Sequence, residues 1–144
     1  MGAGTPDFVA LDWNGTVVPI FGCPPYPGAL EALQRLKDLG IPIFVVSHAT
    51  QRQIDDDVRR TGLEFDGVFG CMEKAPVLST LRTQHGFGLL LGDHPADFRA
   101  ALEVGLPFIQ ARLDEQALFG GCQSSFQDWS EVPQLLLAAS GHDG

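Results

Sequence analysis

The chain predicts a three-layer α/β fold built on a doubly wound, mainly parallel sheet of about five strands. Three observations carry that expectation. Short apolar runs alternate along the chain with segments of helical periodicity, the signature of strand–helix–strand units. The runs are unbroken, as in Phe8-Val9-Ala10-Leu11, which suits strands buried on both faces. Several run into a polar or acidic residue, among them Asp12, Ser47 and Asp93, at the carboxyl ends where open α/β sheets hold ligands.

Taken in order, residues 1–7 read as a lead-in and Phe8 to Asp12 as the first strand. Residues 13–26, rich in Gly and Pro, form a loop or small flap. Pro27-Gly28 opens a helix whose Leu30, Leu33, Leu36 and Leu39 stripe a core-facing side, and Gly40 stops it. Ile41 to Ser47 is the second strand, with Pro42 among its first residues. Thr50 and Gln53 make a capping box for a polar helix that closes at Gly62, and Asp55-Asp56-Asp57 read as its solvated face. Val68-Phe69 is a brief third strand, followed by a helix over Lys74–Gln84 with Val77, Leu78 and Leu81 inward. Phe87 to Leu91 is the fourth strand, Ala96 to Val104 a helix, and Leu106 to Ile109 the fifth strand. A short strand near Cys122–Phe126 and a helix from about Ser130 to Ala139 complete the pattern.

At 144 residues the chain reads as one domain over 1–144, with its core at about 8–139. Its N-terminus shows no basic-then-apolar leader, and no run is long enough for a membrane span. Cys23, Cys71 and Cys122 are odd in number and match no zinc or disulfide pattern, so a cytoplasmic protein with reduced thiols is expected. The net charge of -9 argues against binding to duplex nucleic acid or anionic membranes. It leaves room for a phosphate ester, because a bound divalent cation reverses the local field.

If the strands are parallel, Asp12, Ser47 and Asp93 share one edge of the sheet, with Lys74 at a helix start close by. Each has an ordinary reading: a strand-ending acid, a turn-capping serine, helix-start acids at 93 and 97, a surface lysine. Together they form a constellation. The motifs Asp12-Trp13-Asn14-Gly15-Thr16, Ser47, Lys74 and Gly92-Asp93-His94-Pro95-Ala96-Asp97, in that order, resemble those of the haloacid dehalogenase (HAD) superfamily, in particular its phosphatases. The likeness runs from Phe8 to about Gln110 and implies the Rossmann-like HAD fold.

The resemblance implies that Asp12 attacks phosphorus and forms an aspartyl-phosphate, with Mg2+ as cofactor. Asp12, Asp93 and the backbone carbonyl of Asn14 would ligate the metal, and Asp97 would act through water. Ser47 and Lys74 would hold the phosphoryl oxygens, beside His48 and a small nest of N–H groups over Trp13–Thr16. Trp13 itself packs beside the site. Asn14 departs from the pattern, since most family phosphatases carry there an acid that exchanges protons with the leaving oxygen and with water. Asn cannot do so at neutral pH, so turnover should weaken, most of all for alkyl esters. An Asp-Trp-Asn-Gly-Thr motif also resembles members described as phosphoglycolate phosphatase-like, which favours a native variant over an introduced substitution or a silent descendant. His48 and His94 lie beside motif residues as substitute proton carriers or as plain exposed loop histidines.

Neither residues 17–26 nor the segment between Ser47 and Lys74 holds a cap domain. The open site implies a phosphorylated small molecule, a bulky phospho-substrate, or a homo-oligomer that lends a lid. The rival readings are a silent phosphate-binding module on the same fold, a dehalogenase, which would leave Asp93 and Asp97 without a purpose, and a receiver domain. Receivers carry an acidic pair after the first strand, where this chain has Asp12 alone.

Overall fold

The computed structural model describes residues 5–140, and the side chains of 5–137. Its six strands are β1 (Phe8–Leu11), β2 (Ile43–Ser47), β3 (Gly67–Gly70), β4 (Gly88–Gly92), β5 (Phe108–Ala111) and β6 (Ser124–Phe126). Five helices connect and follow them: α1 (Ala29–Asp38), α2 (Gln51–Thr61), α3 (Lys74–His85), α4 (Pro95–Val104) and α5 (Val132–Ser140). The strands form one sheet in the order β3-β2-β1-β4-β5-β6, and every pairing is parallel. This is the doubly wound architecture that the sequence predicts, with the strand near residues 122–126 adding a sixth member at the edge.

Strand alternation sorts the core into two layers. Val9, Leu11, Ile43, Val45, Leu89 and Leu91 face the side covered by α1, α2 and α5. Phe8, Ala10, Phe44, Val46 and Leu90 face α3 and α4. Successive side chains on a strand point to opposite faces, so a strand covered on both sides must be apolar at every position. β1 meets that condition in full, with all four residues buried. Its place between β2 and β4 follows, because the centre of the sheet is where both faces are most completely covered.

The starts of β2 and β5 differ from expectation. β2 begins at Ile43 because the carbonyl of Pro42 already accepts from the Val9 N–H, while proline itself has no N–H to give the ladder. β5 lies two residues further on than expected, since Leu106 and Pro107 are spent on leaving α4: the Leu106 N–H returns to the Ala101 carbonyl. Thr50 and Gln53 form the expected capping box on α2.

The leucine stripe on α1 is only half right. Leu33 and Leu36 are buried with Ala29 and Ala32, whereas Leu30 and Leu39 stand in solvent. At 3.6 residues per turn, each step of three falls about 60° short of a full turn, so Leu30 and Leu39 lie about half a turn apart. The core face is completed by alanines, which let the helix approach the sheet closely. Leu33→Ala should lower unfolding stability by about 2–5 kcal/mol, and Leu30→Ala by less than about 0.5, in urea titrations.

Candidate functional site

Asp12 follows β1 directly, and its N–H donates to the Leu91 carbonyl of β4, which fixes it at the junction of the two central strands. Asp93 follows β4, so the two carboxylates stand at neighbouring strand tips. Asp97 lies in the first turn of α4. One oxygen from each of Asp12, Asp93 and Asp97 falls within 4.8 Å of the others. Lys74, at the first position of α3, reaches into this group and donates to Asp12 Oδ1 at 2.8 Å and to Asp97 Oδ1 at 2.7 Å. Lys74 is 3% exposed, which removes the surface-lysine reading. An ammonium is buried this deeply only when carboxylates compensate it.

Asp97 also keeps its ordinary role. Its Oδ2 accepts from the His94 N–H at the start of α4, while the His94 ring Nδ1 accepts from Ala96 N–H. Cap and ion pair are thus made by the two oxygens of one carboxylate. His94 is a helix cap, and His48 is exposed. Ser47 ends β2, buried, and the cap of α2 is Thr50 rather than Ser47. Asp12, Asn14, Ser47, His48, Lys74, Asp93, His94 and Asp97 all line one cleft of about 370 Å³.

The loop after β1 is held by glycine. Gly15 has φ +80°, and a Cβ there would fall 2.0 Å from Asp93 Oδ2. Only glycine permits both the turn and the close approach of Asp93. The Gly15 N–H donates to the Val18 carbonyl and the Thr16 N–H to the Trp13 carbonyl, so these two donors are withdrawn from the anion nest expected over 13–16. Asn14 lines the cleft, and its amide oxygen is buried without a hydrogen-bond partner among the described residues.

Trp13 is fully buried and supports the site from below. Its indole N–H donates to Asp57 Oδ2 at 2.7 Å, and its ring meets Phe65 edge-on at 6.0 Å. Asp57 is therefore not part of a solvated face: it is buried, takes two bonds from Arg60, and accepts from Gly22 N–H. At the helix period Asp57 shares the inward side of α2 with Ile54 and Val58. Asp55 and Asp56 do carry the outer face.

The charges do not balance. Burial raises the Asp12 carboxyl above the usual range, and Asp93 adds to the rise against the opposing Lys74. Burial likewise raises Asp93 and Asp97, with Asp12 pushing Asp97 further. Burial works against a charged Lys74, but Asp12 and Asp97 outweigh it and hold the ammonium above its ordinary range. Three carboxylates around one ammonium leave excess negative charge on hard oxygen donors. That donor set fits a small divalent cation such as Mg2+.

Three solved structures share this architecture. A HAD-superfamily hydrolase from Ehrlichia chaffeensis superposes with a TM-score of 0.75 at 16% identity, over 92% of this chain and 97% of its own. The fold is that of the HAD superfamily. The D,D-heptose 1,7-bisphosphate phosphatase of B. bronchiseptica, solved with magnesium and phosphate, gives 0.70 at 16% identity over 92% and 98%. A HAD phosphatase from Thermococcus onnurineus gives 0.69 at 19% identity, over 78% of this chain and 58% of that one. The sequence itself matches no family model and no curated protein. No described helix is long and apolar enough to cross a membrane. The segments after β1 and β2 hold only a loop and the elements α2 and β3 before Lys74.

Two stability measurements check this electrostatic picture, and they run in opposite directions. A carboxyl raised in the fold binds its proton more tightly folded than unfolded, so its effect lowers stability as pH rises above about 4. The metal-free protein should show this slope, millimolar Mg2+ should reverse it, and Asp93→Asn should flatten the slope and remove most of the Mg2+ response. Asp57 behaves oppositely. Burial alone would raise it, but bonds from Arg60, Trp13 and Gly22 prevail and hold it below the usual range. Its contribution is complete above about pH 4 and lost as pH falls through the depressed value. Asp57→Ala should cost about 1–3 kcal/mol at neutral pH, with the difference from the parent shrinking in acid.

Proposed function

We propose that the protein is a cap-less phosphomonoester hydrolase of the HAD superfamily, working with Mg2+ through an aspartyl-phosphate on Asp12. The observation that carries this reading is Lys74, buried between Asp12 and Asp97 with Asp93 in the same cluster. Asp12, Asp93 and the backbone carbonyl of Asn14 would hold the cation, and Asp97 would act through water. When bound, the ion supplies positive charge that offsets the repulsion between a carboxylate and a phosphoryl dianion.

A carboxylate oxygen of Asp12 attacks phosphorus in line as the ester P–O bond breaks, and the alcohol leaves. The Lys74 ammonium and the Ser47 hydroxyl donate to the nonbridging oxygens, where charge concentrates in the transition state. The two carboxylates on Lys74 aim it and keep it charged. Water then attacks the phosphoryl group, releasing phosphate and restoring Asp12. Both halves call for a proton carrier near residue 14, and an amide does not exchange one. Solvent or His48, exposed at the cleft, takes that part, because the Nδ1 of His94 is engaged in capping. Aryl and acyl phosphates, whose leaving groups need little protonation, are therefore the best substrates. The open cleft suits a phosphorylated small molecule or a bulky phospho-substrate, and a second copy of the chain is a candidate lid.

Asn14 also supports a second reading, a silent phosphate-binding module. Hydrolysis of p-nitrophenyl phosphate with Mg2+, abolished in Asp12→Ala, is the expected result, and its absence favours the silent module. Asn14→Asp should raise kcat on alkyl esters by roughly 100- to 10,000-fold, with a smaller gain on aryl esters. An unchanged alkyl rate would remove residue 14 from the proton-transfer step.

A further inference from the structure

We infer that Asp114 makes the cleft charge-selective: it admits phosphomonoesters whose alcohol is cationic or neutral and turns away those whose alcohol carries a second anion. The inference rests on the phosphatase reading and concerns the leaving group, not the phosphoryl group. Asp114 lines the same cleft as Asp12 but lies outside the carboxylate cluster around Lys74. It is exposed, in the loop between β5 and β6, and so stands at the cleft's outer part.

Asp114 is held there by several restraints. The Tyr26 hydroxyl, from the loop before α1, donates to Asp114 Oδ2 at 2.6 Å. Burial and the neighbouring carboxylate hold that phenol well above its usual range, so it remains a donor. The Asp114 N–H donates to Gln116 Oε1 at 2.9 Å, and Arg112 Nε donates to the Gln116 carbonyl at 2.7 Å. Between them Glu115 sits at φ 64°, a left-handed conformation that residues other than glycine adopt uncommonly. An exposed carboxylate fixed by a side chain 88 positions away and by a strained turn is not a freely solvated surface acid.

The cleft offers an anionic alcohol no lysine or arginine of its own beyond the phosphoryl end. Lys74 is the one lysine or arginine among its described lining residues, and both carboxylates it contacts belong to the phosphoryl end. Pro19 and Ile20 add an apolar wall, with Ile20 59% exposed. A carboxylate beside an apolar wall suits an alkylammonium or an uncharged alcohol, and it repels a second phosphate or carboxylate.

The test uses three phenyl phosphates carrying a para trimethylammonium, tert-butyl or carboxylate group, with Mg2+, at low salt and about pH 8, where ordinary imidazoles are neutral. The cation-to-anion ratio of kcat/KM, compared between variants, cancels the intrinsic reactivity of each ester. Asp114→Asn should lower that ratio about tenfold, the size expected for one charge a few ångströms away in a solvated cleft. Asp114→Lys should invert the preference, and about 0.5 M NaCl should erase most of it in the parent protein. Turnover with the same ratio in parent and Asp114→Asn overturns the inference and leaves the hydrolase reading standing. Calorimetry with the matching benzylphosphonates covers the converse. A charge preference in binding that Asp114→Asn removes, without turnover of any ester, supports the selectivity and sinks the hydrolase. Binding without such a preference overturns the selectivity.

Discussion

One buried ammonium organises this molecule. Lys74 enters the region between the tips of β1 and β4 and meets two carboxylates there, one following a strand and one in the first turn of a helix. Isolated, each of these charges would cost several kcal/mol to bury. As a group they become a rigid joint that ties α3, α4 and the centre of the sheet together. The joint is tightly spaced: a Cβ at Gly92 would lie 2.5 Å from Asp97 Oδ2, and one at Gly15 closer still to Asp93. These two glycines are the positions where any side chain would push the charged groups apart.

The joint is also deliberately incomplete. Three acids stand around one ammonium, so the cluster carries more acidic groups than its own lysine neutralises. A protein maximised for stability would remove one of those acids. Keeping all three costs stability, and carboxyl groups perturbed in this way cluster at functional sites. The same excess makes the cleft a poor host for anions unless something positive arrives with them.

Much of this was legible in the chain. The unbroken apolar runs identified the central strands because burial on both faces leaves no polar positions, and the acids after β1 and β4 followed from where those runs stop. Lys74 could be suspected only from its place in a series of motifs, since nothing local separates a buried lysine from a solvated one. The run Asp55-Asp56-Asp57 reads as solvated, and what buries Asp57 is a bond to Trp13, 44 residues away. A spacing of three is not a straight stripe on a helix, which is why Leu30 and Leu39 leave the core face. Asp114 and Tyr26 carry no local pattern at all. They meet because the loops after β1 and β5 arrive at the same edge, and that is a property of the sheet order.

The central position of β1 sets a timetable for synthesis. β1 is made before either of its two partners, which lie at residues 43–47 and 88–92. At about 5–20 residues per second, the second partner emerges several seconds after the first strand. During that interval Phe8-Val9-Ala10-Leu11 is an apolar segment without its second partner, a stretch of the kind prone to association while it is exposed. The anionic cluster cannot assemble before residue 97 has been made, after all three central strands are available. The indole N–H of Trp129, bonded to the Thr16 carbonyl, ties the segment after β6 to the loop that follows β1.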